Sequence, residues 1–578
     1  MSKVIKIKQF VETRKALNPQ QMATIAELEG RHVINSGAGT GKSTVLIERM
    51  KAIKAKYPEA TILMLSFSKD SALELKSRVG NVTGVTISTL HSLAYHILQT
   101  SGWKFKVDCN SENQTAVITN LIGSKSKTTA EEVIKSLHNF ESETVSTLRI
   151  RKKYLQWQKE NHVVSFDTMI LSALEMLQKH QGLRSYWQNR YDFIQNDEGQ
   201  DLDGAQTELV NLISCVKNNL CVCGDQRQQI YSFRGASGAM QEFSQNAIVH
   251  ELTMNYRCNQ GILDLANSIM QEYSPLETAA GVVRRDPIFY AAKDSEDEAS
   301  NIADRVEELH KHGENYKDIA VLYRSSSVTP TIAEEFLKRK IPFVTKSSFL
   351  LKYSASPYRE IINLFKFMTD SSVDNLEKIL PLFYLKKSKI EVVSKMVAEL
   401  NSPLTNILPL LTEKPNHHSY VEELSKAVET ATQMSPAKAL RHLINHGLSK
   451  YFAESILAVE NIIAELQKFT TIEDFLNQVS DLQEQMKKMR ELSSKTKSAV
   501  QLMTIHASKG CEWSNVFIAG CNEGVLPSSR EGADLAEEKR LLYVAVTRAR
   551  ENLYLSYPKF NENSIETNMP CRFIAGLF

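Results

Sequence analysis

The sequence predicts an α/β protein built on two parallel sheets, each carrying a mainly helical insertion. Three observations predict it. Short apolar runs ending in Gly, Ser or Asp alternate with amphipathic helical stretches; the alternation occurs in two separated parts of the chain; and the stretches in between are strand-poor, with Leu, Glu and Lys at helical spacing. In the first part, residues 32–35, 61–65, 85–87, 191–194 and 220–223 read as strands of a sheet covered by helices. In the second part, residues 319–323, 500–504, 516–519 and 553–556 read the same way. The insertions span roughly 102–164 and 346–498. The charged stretch 487–497 is expected to be a solvated connector.

Composition narrows the class of function. The chain has 578 residues, 42% hydrophobic and 24% charged, with 23 Gly and 15 Pro, which excludes a largely disordered protein. Lys and Arg number 69 against 67 Asp and Glu, so the formal charge of +2 gives no global attraction to polyanions and any nucleic-acid surface must be local. The eight cysteines contain no C-x-x-C pair, which argues against a zinc ribbon or a disulfide framework. Lys3, Lys6 and Lys8 interrupt the first apolar residues, and no uncharged apolar run reaches about 18 residues. A cytoplasmic protein that does not enter membranes is expected.

The chemistry begins at Ser36-Gly37-Ala38-Gly39-Thr40-Gly41-Lys42-Ser43-Thr44, which follows a predicted strand and opens a helical pattern. That is the setting of a phosphate-binding loop. Glycines let successive backbone N–H groups surround phosphates, Lys42 can reach the β/γ oxygens, and the Ser43 hydroxyl can ligate Mg²⁺. Ser36 stands where the generic pattern has its first glycine. Asp197-Glu198, at the end of the strand 191–194, supplies a carboxylate for Mg²⁺ (Asp197) and one to polarise water (Glu198). The next strand runs into Gly224-Asp225-Gln226-Arg227-Gln228, and Gln228 offers an amide that could sense a γ-phosphate.

These segments, with others in order along the chain, resemble the UvrD/Rep group of superfamily 1 helicases. Leu17-Asn18-Pro19-Gln20-Gln21 is similar to the adenine-reading Q motif, with Gln21 in the reading position. Residues 197–201 resemble motif II and 224–236 motif III. Asn255-Tyr256-Arg257 resembles motif IV, in which Tyr256 would stack on adenine and Arg257 reach the phosphates. Residues 500–512 look like motif V, whose Thr504 and His506 fall in the DNA-contacting part and whose Glu512 would meet the ribose. Residues 538–549 resemble motif VI, with Arg548 completing the ATP site.

The resemblance implies two RecA-like domains. Residues 1–101 and 165–254 would form the first, with 102–164 inserted; 255–345 and 499–578 would form the second, with 346–498 inserted. Arg257 and Arg548 would then act on ATP from the half without the phosphate loop, coupling hydrolysis to domain closure. Single strands bind through backbone charge and stacking on aromatic faces. The resemblance puts Phe67 at the motif Ia contact, His91 at motif Ib, and Phe233 and Arg234 at the stacking and phosphate positions after motif III. In motif Ia, Lys69-Asp70 replaces the usual Asn-Lys. Residues 149–157, basic and aromatic together, are either a duplex contact or a solvated helix face with Trp157 packed inward.

The function implied is an ATP- and Mg²⁺-dependent DNA helicase and translocase moving 3′ to 5′ in repair, recombination or replication, with single strands and single/double-strand junctions as partners. The alternative is an ATP-gated, nucleic-acid-sensing subunit with protein partners in a repair or anti-phage defence complex. The chain is expected to leave no room for an appended nuclease domain or a long protein-binding tail.

Overall fold

The fold comes from a computed structural model that describes residues 17–123, 129–137, 144–232, 235–236, 238–279, 283–345, 352–354, 356–385, 404–412, 415–496, 498–530, 532–560 and 568–577. Two compact units emerge. One holds the described part of residues 1–287, 509–512 and 531–552; the other holds the described part of 288–508, 513–530 and 553–578.

The first unit is organised by strands β1 (Arg31–Ser36), β2 (Ile62–Ser66), β3 (Val85–Thr89), β6 (Phe193–Asn196), β7 (Leu220–Gly224) and β8 (Ile248–Leu252), all parallel in the order β3-β2-β6-β7-β1-β8. Alternate side chains go to opposite faces. Val33, Leu63, Leu65, Ile194, Leu220 and Val222 pack under the helices Leu90–Thr100, Phe166–Lys179 and Gly204–Ser214. Ile34, Ile62, Met64, Phe193, Cys221 and Cys223 pack under Lys42–Lys56 and Lys69–Val79. β2 and β7 therefore read as near-continuous apolar runs, as strands of a sheet buried on both faces do, while β6 ends in buried Gln195 and Asn196.

The first insertion has a small core of its own, Ile118, Val133, Leu137, Ile150 and Tyr154. It is bracketed by a parallel pair, β4 (Lys106–Asp108) and β5 (Val163–Ser165), two three-residue strands too short to register as a period in the sequence. A further short parallel pair, β9 (Met254–Asn255) and β10 (Glu277–Thr278), follows β8.

The second unit contains β11 (Ile288–Ala292), β12 (Ile319–Tyr323), β13 (Phe343–Val344), β14 (Val500–Thr504), β15 (Trp513–Ala519) and, from Leu553 on, β16 (Ala549–Pro558), again parallel and in the order β11-β16-β15-β12-β14-β13. One continuous core joins this sheet to the helical insertion, running from Ile319 and Phe336 through Phe365, Leu424 and Leu440 to Phe475 and Phe517. The expected connector at 487–497 is not one. As far as Thr496 it is the end of a 25-residue helix, Ile472–Thr496, with Lys487, Lys488 and Glu491 exposed and Phe475, Val479 and Met486 anchored in the core. No helix among the described residues is long and apolar enough to cross a membrane.

The compact units divide the chain differently from the domains expected above. The described parts of residues 255–287, 509–512 and 531–552 belong to the first unit. Within that unit Asn255 and Tyr256 hydrogen-bond to the phosphate loop, Lys509 to Asp201 and Arg548 to Gln228.

Candidate nucleotide site

The C-terminal ends of β1, β6 and β7 share one edge of the first sheet, where ligands of open parallel sheets bind. β1 closes on Ser36, which is buried and whose hydroxyl donates to the Gly224 carbonyl on β7 (3.3 Å). A serine is thus accommodated where the generic loop has glycine. Further on glycine is required: Gly39 and Gly41 have φ of 68° and 85°, and a Cβ on Gly39 would lie 2.6 Å from the Asn255 amide nitrogen.

All four carbonyls of the loop's bend already have protein donors. The Thr40 hydroxyl donates to Gly37 (2.9 Å), the Asn255 amide to Ala38 (2.6 Å), the Tyr256 N–H to Gly39 (2.9 Å) and the Gln21 amide to Thr40 (3.0 Å). The N–H groups of Gly37 and Ala38 are spent on the Leu252 carbonyl (3.2 Å) and the Tyr543 hydroxyl (3.4 Å), and the helix Lys42–Lys56 starts without a side-chain cap, so the donors at its N-terminal end face the cleft. Gln21 is held in turn by a capping box with Asn18, so both ends of its amide already have protein partners. Asn18 also donates to the hydroxyl of Tyr256 (2.8 Å), whose ring is 47% exposed at the cleft. Buried Arg49 ties the helix Lys42–Lys56 to the helix Pro19–Ala26 by donating to the carbonyls of Thr24, Glu27 and Leu28.

Asp197 and Glu198 leave β6 into the cleft. Glu198 adopts a left-handed backbone, φ 57°, a strained conformation for a side chain of this kind. Gly199 explains how that turn fits: a Cβ there would stand 2.3 Å from Val222 Cγ1 and 3.0 Å from Met240 Sδ. Glu198 faces Lys42 (3.7 Å) and accepts from Gln200 (2.6 Å); Ser43 donates to Asp197 (3.5 Å). Burial and the adjacent Glu198 charge push the Asp197 carboxyl up from its ordinary range. Burial also works against the Glu198 carboxylate, but Lys42, Lys509 and the Gln200 hydrogen bond outweigh it and hold that group ionised. Lys42 stays charged because Glu198, Asp225 and Asp197 overcome its desolvation. The Ser43 hydroxyl and the Asp197 carboxylate beside it form an oxygen donor set suited to Mg²⁺.

The opposite wall is cationic. Arg257 pairs with Glu512, which also holds Arg550, and donates to the Thr547 carbonyl (3.2 Å). Arg548 is buried and donates to the carbonyls of Val544 (3.0 Å) and Cys511 (3.1 Å) and to the Gln228 amide oxygen (3.0 Å). Burial and the nearby Arg257 lower its pKa to about 10. The other end of Gln228 donates to Asp225 (2.7 Å). Together these groups line a cleft of about 520 Å³ bounded by residues 39–44, Asp197, Glu198, Gln228, Tyr256, Arg257, Glu512, Arg548 and Arg550.

Asn255 and Lys509 carry structural roles the sequence did not disclose. Both lie in segments recognised there, but a single sequence does not distinguish a buried amide or lysine from a solvated one. Lys509 is bound to Asp201, whose carboxyl burial pushes up to about 6 against the lysine's pull.

The strand candidates fall in both units, and each is described within its own. In the first, Phe67 stacks on Tyr231 (centroids 5.3 Å apart, planes at 24°) and His91 leans on Phe166 (5.9 Å), a ring that is 50% exposed. In the second, Thr504 accepts from the Ala507 N–H (3.2 Å) and His506 opens the short 3-10 turn His506–Ser508. Phe233 and Arg234 lie outside the described residues. On the helix Val145–Glu160, Trp157 stacks on buried Tyr154 while Arg149, Lys152 and Lys153 are exposed. The aromatic half of that candidate is packing.

Comparison with known proteins agrees with this geometry. The family described as UvrD/REP helicase N-terminal domain matches residues 17–247, and the UvrD-like helicase C-terminal domain matches 250–402 and 353–559. YjcD of Bacillus subtilis (strain 168) is 27% identical over 94% of this chain and 79% of its own length. The ATP-dependent DNA helicases PcrA of Staphylococcus epidermidis (strain RP62A) and Staphylococcus aureus (strain Mu50) are each 25% identical, over 97% and 96% of this chain and 86% of theirs. A phosphate loop, a carboxylate pair and arginines around one cleft, in a chain matched by both halves of one family, lead to one conclusion: the chain belongs to the UvrD/Rep-like helicases and is an ATP-hydrolysing enzyme of that family.

Proposed function

We propose that the protein is a DNA helicase and single-strand translocase that moves 3′ to 5′ and acts in DNA repair, recombination or replication, alone or with a protein partner. The observation that carries this reading is the single cleft in which Lys42, Asp197, Glu198, Gln228, Arg257 and Arg548 converge. ATP would enter with its phosphates against residues 39–44, its base against Tyr256 and Gln21, and its ribose near Glu512. Ser43 and Asp197 would hold Mg²⁺, which when bound neutralises charge on the phosphate oxygens. Lys42 would move from Glu198 to the phosphates, freeing that carboxylate to orient the attacking water. Arg257 and Arg548 would stabilise charge in the transition state, with Gln228 linking Arg548 to Asp225.

In the same reading, residues 1–101 and 165–254 form the first RecA-like domain and 255–345 and 499–578 the second, with 102–164 and 346–498 inserted. Hydrolysis then alternates how Phe67, His91, Phe233, Arg234, Thr504 and His506 grip a strand. The test measures ATP turnover with and without single-stranded DNA, and unwinding of duplexes bearing a 3′ or a 5′ tail. Strand-stimulated turnover and unwinding confined to 3′ tails are expected. Turnover indifferent to DNA, or unwinding from 5′ tails, would overturn the reading.

A further inference from the structure

Lys509 is a buried cation that lies behind the nucleotide cleft and does not line it. Its ammonium donates to both oxygens of Asp201 (2.7 and 2.6 Å) and to the Gln228 carbonyl (2.6 Å), so all three of its protons are used inside the protein. Its side chain is 8% exposed and that of Asp201 0%. Both anchors belong to the hydrolytic site. Asp201 ends the short turn Gly199–Asp201, and its N–H donates to the Glu198 carbonyl (3.0 Å). Gln228 is the amide that meets Arg548. The same ammonium lies 5.3 Å from the centre of the Tyr231 ring, and Tyr231 is the ring on which Phe67 stacks.

We propose that Lys509 is a positioning residue that makes the turn carrying Glu198 answer to strand occupancy at Phe67. A base that takes the Phe67 face now covered by Tyr231 has to displace or reorient that ring, because the two rings stack on each other. Tyr231 supplies a π face to Lys509, so its movement changes where the ammonium is held. The ammonium does not part readily from Asp201, since separating a buried ion pair leaves an uncompensated charge. Its displacement is therefore passed to Asp201 and to the Gln228 backbone, the two points that set Glu198 and Arg548. The inference rests on the reading of the chain as a strand-stimulated ATPase with Phe67 on the strand.

The test compares ATP turnover with and without oligo-dT in the full-length protein. Lys509→Met is expected to lower the ratio of stimulated to unstimulated turnover by about tenfold or more, with the KM for ATP and the Kd for oligo-dT within about twofold of wild type. Asp201→Asn, which keeps the size and loses the charge, should show the same loss, and the double variant should add little to either. Lys509→Arg, which keeps the cation, should recover part of the ratio. A ratio unchanged in Lys509→Met, or in Asp201→Asn should the former not fold, overturns the proposal. So does a loss of oligo-dT affinity in step with the loss of turnover, which would make Lys509 a strand contact. A wild-type enzyme without stimulation would instead sink the proposed function, and this inference with it.

Discussion

Lys42 and Glu198 are each other's counter-charge across 3.7 Å, and each has a separate task once phosphates intervene. Lys42→Ala removes the cation on the β/γ oxygens, and Glu198→Gln removes the carboxylate that orients water. Both should reduce ATP turnover by about 10²–10³-fold, the usual effect of losing one such electrostatic group. Glu198→Gln alone should still bind a fluorescent ATP analogue, because Lys42 and the loop remain. Retention of more than about a tenth of turnover in either variant contradicts the assignment. Arg257→Ala and Arg548→Ala should likewise bind nucleotide and hydrolyse it slowly, and normal DNA-stimulated turnover in either would remove it from the mechanism. Gly199 tests the backbone under Glu198. Its missing Cβ would stand 2.3 Å from Val222 Cγ1, so Gly199→Ala should cost about 1–3 kcal/mol in urea unfolding, as overpacking does. Val222→Ala in the same chain should return part of that loss if the clash is the cause.

At the scale of elements, β8 joins the sheet edge beside the phosphate-loop strand, and a histidine pair spans the joint. His32 on β1 and His250 on β8 approach to 3.2 Å, and His32 also meets the Glu29 carbonyl (2.8 Å). Burial, and then Arg49, hold both imidazoles below their ordinary pKa, against the opposing pull of Glu27 and, at His32, of the hydrogen bond to the Glu29 carbonyl. Protons therefore bind more readily to the unfolded chain. The stability these residues contribute is full above their ordinary pKa of about 6.5 and is lost as pH falls below it towards the folded values. The urea midpoint should drop between about pH 7.5 and about pH 5.5, and His32→Gln with His250→Gln should flatten that part of the drop. An equal slope in the variant would clear the pair of this role. β8 was also among the strands that the sequence did not reveal. Its residues 248, 249 and 251 are exposed on an edge, so the apolar run that marks β2, β7 and β12 never forms. β11 is different: Ile288-Phe289-Tyr290-Ala291-Ala292 is an apolar run that is absent from the strands read in the sequence, although four of its five side chains are at least partly exposed in the fold.

For the whole molecule, the cleft was legible as a set of segments and illegible as an assembly. Residues 36–44, 197–198 and 548 could be read because phosphate chemistry restricts which residue types serve there. That Gln21, Asn255 and Tyr256 tie back three successive loop carbonyls could not be read, since the bonds cross gaps of 19 to 217 residues and use ordinary backbone acceptors. The strand track is harder still, because a net charge of +2 marks no groove. Affinity then has to come from stacking and a few phosphate contacts. Alanine at Phe67, His91 or Phe233 should each weaken single-strand binding by about 1–3 kcal/mol with little preference among bases. Arg234→Ala should instead flatten the salt dependence, lowering the log–log slope by about 0.7 in magnitude for one lost phosphate contact. Both kinds of variant should reduce DNA-stimulated turnover more than DNA-free turnover. Titration of labelled oligonucleotides at several salt concentrations separates the two effects. The decisive protein is the Phe67, His91, Phe233 triple alanine variant. If it folds and binds single strands as wild type does, the stacks of Phe67 on Tyr231 and His91 on Phe166 are surface packing, and the strand path must follow other residues, with exposed Arg149, Lys152 and Lys153 the first to test.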